Sequence, residues 1–358
     1  MSWSKEPGVP GVLSPAQCRQ TAESIAALQE PSGAIPWSQG AHTDPWDHVE
    51  CAMALTAAGL TEPARRAFDW CRRQQRADGS WPIQLRAGVV EDANSDSNFC
   101  AYVAVGVWHH VLVTGDRSFA TAMWPTVRAA IDFILELQLE GGEICWARSP
   151  SGPLTEALLT GCASIFHSMR CALALANLVD EPQPEWEVAL GRLGHAITAH
   201  PSAFTEKPRH SMDWYYPILG GALRGPGATA RIAERWGDFV VEGLGIRCVD
   251  DRPWVTGAET CELVLALDAM GEGQAALRQF AAMQHLREKD GSYWTGLVFS
   301  DGKRWPVERT TWTGAAVILA ADALSSTTAG SGIFRGTDLP RGLEGDYDCE
   351  CAASPSDR

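Results

Sequence analysis

Apolar residues recur at helical spacing through most of residues 14–325, and the period-two alternation of half-buried strands is nearly absent. The predicted helices fall in pairs. The first of each pair spans roughly 15–29, 62–76, 118–139, 184–199, 228–242 and 273–287; the second spans roughly 46–59, 97–113, 156–179, 213–224, 257–270 and 311–325. The first set carries charge on one face, as in "PARRAFDWCRRQQ" (63–75). The second set is apolar nearly all round, as in "CAMALTAAGL" (51–60) and "GAAVILAADAL" (314–324). A helix apolar on every side is buried, whereas an amphipathic one faces water. Six outer and six inner helices in alternation predict an all-α fold, an (α/α)6 toroid of six hairpins.

The links sharpen this prediction. From an inner to the next outer helix they are brief, such as "TEP" after Leu60 and "GEG" after Met270. From outer to inner they run to roughly 13–23 residues, against the usual ~2–8 of helix–helix links. Inner helices two chain reversals apart are parallel, so all six long loops share one end with the inner-helix N-termini. Long loops on a rigid scaffold usually carry function, and helix N-termini favour carboxylates and anions. The predicted organisation is a short N-terminal extension (1–13), one helical domain (14–325) and a flexible acidic tail (326–358), Gly-, Ser- and Asp-rich and without periodicity. Outer helices also end in a Gln, a Gly turn and an aromatic, as in "QQRADGSWP" (74–82) and "LQLEGGEICW" (137–146), which reads first as turn punctuation plus packing.

Composition narrows the class. A formal charge of −15 over 358 residues argues against nucleic acid or an anionic membrane surface as partner. No 18-residue apolar run is read, hence no membrane span, and the N-terminus lacks a signal-peptide core. The 11 Cys lack framework spacing and fall mostly in apolar stretches, as buried free thiols would. The expected setting is cytoplasmic. No cofactor is expected: the nine His show no HExxH or paired metal spacing, Cys349-x-Cys351 has no second pair, and neither P-loop nor GxSxG is present. A homodimer is left open.

The candidate chemistry lies where long loops meet inner helices. Trp46, Trp214, Trp254 and Trp312, of 15 Trp in all, stand at such junctions, with Asp44, Asp47, Glu50, Asp96, Asp213, Glu259, Glu262 and Glu308 beside them. Each carboxylate alone could be a cap. Indole faces beside carboxylates in one funnel suit an oligo- or polysaccharide, and glycoside hydrolysis needs two carboxyls across the scissile bond. Neighbouring axes ~8–10 Å apart put the first and fifth inner helices roughly 14–17 Å apart. Inward side chains then leave Asp47 and Glu262 about 6.5–9.5 Å apart, the spacing of inverting glycosidases. Glu50 with Glu262, or Asp96 with Glu308, remain alternatives. The order taken for the first pair is Glu262 as acid and Asp47 as base. Trp46, Glu50, Asp96, Asp213, Tyr215 (in "DWYYP", 213–217), Trp254, Glu259 and Trp312 are candidate sugar contacts.

The hairpin pattern with "PWDHVE" (45–50), "DSNFCAYVAVGVWHH…TGD" (96–116) and "WVTGAETCELVLAL" (254–267) resembles the methylmannose polysaccharide hydrolases over about residues 14–325. That resemblance implies a cytoplasmic six-hairpin enzyme cutting α-1,4-linked, 3-O-methylated mannose chains internally, with Asp47 and Glu262 as its catalytic carboxylates. It also implies trimming of a lipid-binding polysaccharide into chains that can be elongated again. The Gln–Gly–Trp repeats are similar to those of triterpene cyclases and prenyltransferases, but no DxDD acid or zinc ligand set accompanies them. A non-catalytic glycan-binding toroid is the third reading.

Overall fold

The computed structural model describes residues 6–343. In chain order its helices are α1 (Pro15–Leu28), α2 (Pro45–Ala57), α3 (Thr61–Gln74), α4 (Ser97–Ala101), α5 (Val103–Thr114), α6 (Arg117–Leu135), α7 (Leu159–Val179), α8 (Pro184–Ala199), α9 (Ser211–Leu219), α10 (Gly225–Phe239), α11 (Gly257–Ala269), α12 (Gly273–Ala282) and α13 (Thr311–Ser325). Local chemistry explains their starts. Ser14 and Gln17 form a capping box, Asp44, Asp96, Asp116 and Thr310 each accept a first-turn N–H, and Pro45 and Pro184 supply helical φ.

Burial follows the two predicted classes. Every residue of α2 is buried, while α3 buries Ala64, Ala67, Phe68, Trp70 and Cys71 and turns its arginines outward. The inner segments pack in a closed circuit: α2 on α5, α5 on α7, α7 on α9, α9 on α11, α11 on α13, and α13 back on α2. Each outer helix lies against the inner helix that precedes it, and α1 closes on α13 and α2.

The Gln–Gly repeat is what sews the outer layer. Gln29, Gln75 and Gln138 each donate through Nε2 to the carbonyl of the turn glycine (Gly33, Gly79, Gly142) and to a carbonyl of the next outer helix. Gly79 shows why the glycine is needed: its φ is +88°, and a Cβ there would stand 2.1 Å from the Ala129 carbonyl. The repeat is thus a structural staple, and the isoprenoid reading loses its motive.

Strands are more numerous than expected, because each is only two to four residues long and too short to show a period. β1 (Gln84–Arg86) and β2 (Val89–Asp92) form a hairpin; β3 (Ser95–Asp96), β4 (Ala147–Ser149) and β5 (Gly152–Leu154) form a three-stranded sheet. β6 (Val240–Val241), β7 (Gly245–Arg247), β8 (Trp254–Thr256), β9 (Gly296–Val298) and β10 (Lys303–Arg304) form a five-stranded one, all antiparallel. All lie in the long loops and tie them into a second circuit. Thr43 bridges Leu85, Ser95 pairs with Arg148, Leu158 bridges Thr205, His210 bridges Val249, and Val255 pairs with Leu297. The circuit closes where Thr311 N–H donates to the Trp37 carbonyl. This hydrogen-bonded collar surrounds the inner-helix N-termini.

Two expectations need correction. Residues 326–343, read as part of a flexible tail, pack on the body: Ile333, Phe334 and Leu339 are buried, and Phe334 stacks on His167 at 5.2 Å. Arg335 forms a two-point ion pair with Asp268, and Arg170 donates to the carbonyls of Gly336, Leu339 and Pro340. Apolar anchors spaced along a polar stretch carry no helical period, which is why composition pointed elsewhere. The acidic remainder, with Cys349 and Cys351, lies outside the described residues. Second, α7 is long and apolar enough to cross a membrane, but 78% of its apolar window is buried in the fold.

Candidate active site

The collar opens on a cavity of about 190 Å³ walled by Trp46, Phe99, Trp146, Leu158, Met212 and Tyr216, with Asp96 and Thr160 as polar points. Whole drug-sized pockets reach ~300–1,000 Å³, so this volume suits a short part of a longer ligand. Trp46 lies flat against Phe99 at 6.5 Å and meets Trp312 at 5.6 Å. The indole N–H groups of Trp46 and Trp312 are buried without a well-aligned hydrogen bond in the protein. Such donors cost free energy unless something accepts from them.

Four carboxyl groups gather beside these rings. Asp44 caps α2 and accepts the Asp47 N–H at 2.9 Å. Asp47, the third residue of α2, is 6% exposed. Its pKa is pushed well up, first by burial, then by the charge of Asp44 and a carboxyl–carboxyl hydrogen bond to it, then by Glu50 and Glu262. Every one of these favours the protonated acid. Glu50 lies one turn on and is pushed up to about 8, chiefly by burial; the Trp312 indole N–H, near but poorly aligned, pulls it down.

Glu262 on α11 is held differently. Tyr215 donates its hydroxyl to Oε2 and Tyr216 to Oε1, so both carboxylate oxygens are engaged. Burial and the charge of Glu50 push its pKa well up, while the two phenols hold it down. Hydrogen bonds donated to a carboxylate favour the ionised form. Both pKa values are raised on balance; the neighbours named for Asp47 all favour its proton, whereas Glu262 also has two donors that oppose the rise. A separate small space of about 10 Å³ lies below, between Glu50, Glu262, Tyr216 and Phe334. The C-terminal segment thus forms the floor of the site.

The other expected residues divide. Asp96 caps α4, lines the cavity, and is pushed up to about 7 by burial. Glu259 is buried beside Glu262 and raised by burial. Asp213 is not on the cavity wall; it accepts the hydroxyl of Thr160, which is. Tyr215 is fully buried, so its role passes from sugar contact to holding Glu262. Trp254 braces the collar instead: its N–H donates to the Trp305 carbonyl at 2.7 Å, with the two rings edge to face. Trp214 faces outward, stacked on Phe239 and bonded to the Arg231 carbonyl. Of the alternative pair Asp96 and Glu308, Glu308 is occupied by the Trp37 indole N–H at 2.9 Å. Among the described residues no group of three His, Cys, Asp or Glu could hold a metal.

Sequence reading missed Tyr216, Phe99 and Trp146. Tyr216 stood in the quoted "DWYYP", but neighbours on a helix point about 100° apart, and nothing local says that both phenols reach one carboxylate.

No family model matches the chain. Among solved structures, a wild-type glycosidase superposes with a TM-score of 0.70 at 15% identity, over 89% of this chain and 96% of that one. A D-mannose isomerase superposes at 0.68 with 11% identity, over 87% and 97%. These likenesses concern the fold. A curated relative from Mycolicibacterium hassiacum, an MMP endo-(1,4)-3-O-methyl-alpha-D-mannosidase, is 77% identical over 348 residues, 97% of each chain. With that identity over nearly its whole length, the chain belongs to the MMP endo-(1,4)-3-O-methyl-α-D-mannosidase family of glycoside hydrolases.

Proposed function

We propose that this cleft hydrolyses α-1,4 bonds inside 3-O-methylmannose chains with inversion, using Asp47 as general acid and Glu262 as general base. The observation that carries the assignment is the contrast between the two carboxyls: Asp47 follows the capping carboxylate Asp44, whose charge favours its proton, while Glu262 receives two phenol hydroxyls. This reverses the order taken from sequence. Asp47 gives its proton to the glycosidic oxygen as the C–O bond breaks. Glu262 takes a proton from a water whose oxygen attacks the anomeric carbon from the opposite face. The proton lost by one carboxyl and gained by the other restores the pair through solvent. The indole face of Trp46, on the cavity wall, packs against sugar C–H surfaces and methyl groups, with Trp312 packed behind it.

The closed circuits of inner helices and of loops support an (α/α)6 toroid as the scaffold. Unpaired thiols at all nine described cysteines support a reducing, cytoplasmic setting.

The test uses Asp47→Asn and Glu262→Gln with a 3-O-methylmannose oligosaccharide. Turnover falls at least about a thousandfold in each, as loss of general acid–base catalysis requires, while binding by calorimetry persists. Proton NMR of the first-formed product shows the β-anomer. An α-anomer as first product rejects inversion, and full activity in either variant rejects the pair.

A further inference from the structure

A mannose unit methylated at O3 differs from a plain one in two ways: it lacks one O–H donor and it carries an added methyl group. The cleft wall bears on both differences. Most of its polar side chains are already engaged inside the protein. The Ser97 hydroxyl donates to the carbonyls of Cys145 and Trp146, the Thr160 hydroxyl to Asp213, and the Tyr216 hydroxyl to Glu262. One oxygen of Asp96 accepts the Phe99 N–H, and Oδ1 of Asn98 is sealed from solvent. The groups left to meet sugar hydroxyls are chiefly the second Asp96 oxygen and the Asn98 amide N–H.

The rest of the wall is apolar and incompletely covered. Phe99 on α4, Trp146 before β4, Leu158 just ahead of α7 and Met212 in the first turn of α9 all line the cavity and stay partly exposed. Two of the four are not rings. A flat ring in a sugar cleft is accounted for by stacking on C–H faces. Leu158 and Met212 offer no flat face, and what complements them is a small apolar group. A hydroxyl pressed onto such a surface loses its water without gaining a partner. A methyl ether has no donor to lose there and buries its methyl group.

We infer that Leu158 and Met212 are specificity-determining residues of the cleft: they cover the 3-O-methyl group of the sugar unit lying beside Phe99, and so select methylated over unmethylated α-1,4-mannose chains. The inference rests on the hydrolase reading and names what its cleft selects. Such discrimination has a known scale, since one methyl group in an apolar pocket changes kcat/KM by about 10–200-fold. Met212→Gln keeps the length of the side chain and replaces its thioether with an amide, which gives a sugar hydroxyl a partner. Leu158→Ala removes apolar surface without adding a polar group, and covers the case in which the amide at 212 disturbs α9.

The experiment measures kcat/KM on matched α-1,4-mannose oligosaccharides with and without 3-O-methyl groups. Taking the ratio of the two substrates within each protein cancels any difference in folded fraction. Wild-type enzyme favours the methylated chain by about tenfold or more. Met212→Gln and Leu158→Ala each lower that ratio by about fourfold or more, the share of one buried methyl group. The pH limbs of kcat/KM stay in place, because neither side chain is among the groups that shift Asp47 or Glu262. A wild-type ratio near one, or a ratio unchanged in both variants, overturns the assignment. Wild-type enzyme that releases no new reducing ends from either substrate instead overturns the hydrolase reading itself.

Discussion

The hydroxyls of Tyr215 and Tyr216 are the sharpest point at which to test the chemistry, because phenylalanine removes each with almost no change of volume. Both donate to Glu262. A hydrogen bond to a charged partner contributes about 1.5–3 kcal/mol, and one pKa unit corresponds to about 1.36 kcal/mol. Each deleted hydroxyl should therefore raise the Glu262 pKa by about one to two units. The sign follows from the role. A base works only when ionised, so activity is lost as pH falls through its pKa. Tyr215→Phe and Tyr216→Phe should each move the acidic limb of the kcat/KM profile upward by about one to two pH units. Near the old midpoint the rate falls by about five- to fiftyfold; on the alkaline side it is restored. The assay is initial rate against pH, with melting temperature checked across the range. An acidic limb that stays in place refutes the claim that the phenols steady a charged Glu262. An alkaline limb that moves up instead refutes the assignment of roles, since it makes Glu262 the acid.

Three other outcomes follow from the packing. Phe334→Ala should open the floor of the site, at a cost of about 3 kcal/mol read by urea unfolding. Because burial is the largest cause raising the pKa of Glu262, which borders that space, water admitted from below should move the acidic limb of activity down. Gly79→Ala should lower the melting temperature by more than Gly88→Ala. Both glycines have positive φ, costing about 1–2 kcal/mol for alanine, but only at Gly79 does the new Cβ meet a carbonyl, and nothing lies within 4 Å at Gly88. His48 accepts the Ile35 N–H through Nδ1 and faces the Ala67 carbonyl through Nε2, and burial lowers its pKa to about 4. The unfolded chain takes up that proton first, so the His48 contribution is complete above pH 6.5 and is lost as pH falls toward 4. At pH 5 the loss is about 2 kcal/mol, and His48→Gln should flatten the pH dependence of the urea midpoint by that amount.

The helices were legible because their causes are local. Hydrophobic spacing, the caps at Ser14, Asp44, Asp96 and Thr310, and the prolines at Pro45 and Pro184 act within a turn of the residues they order. The alternation of short and long links likewise follows from the chain alone, and with it the end where the site lies. From that, Asp47, Glu50 and Glu262 could be placed at helix starts facing one funnel.

What the local pattern could not contain is which neighbour each side chain meets from another hairpin. Trp46 and Trp214 occupy equivalent junctions, yet one enters the cleft and the other stacks outward on Phe239. Burial raises the pKa of both Asp47 and Glu262; Asp44 adds to the rise at Asp47, and two tyrosines of a different helix oppose it at Glu262. The segment 326–343 reads as a solvated tail until Phe334 finds its place beneath the carboxyls. The sequence determined where helices begin, which faces are buried and at which end chemistry gathers, since those depend on interactions a few residues apart. The tertiary structure alone decided how deeply each carboxyl is buried and that two tyrosines of another helix reach Glu262, because those depend on contacts between residues distant in the chain.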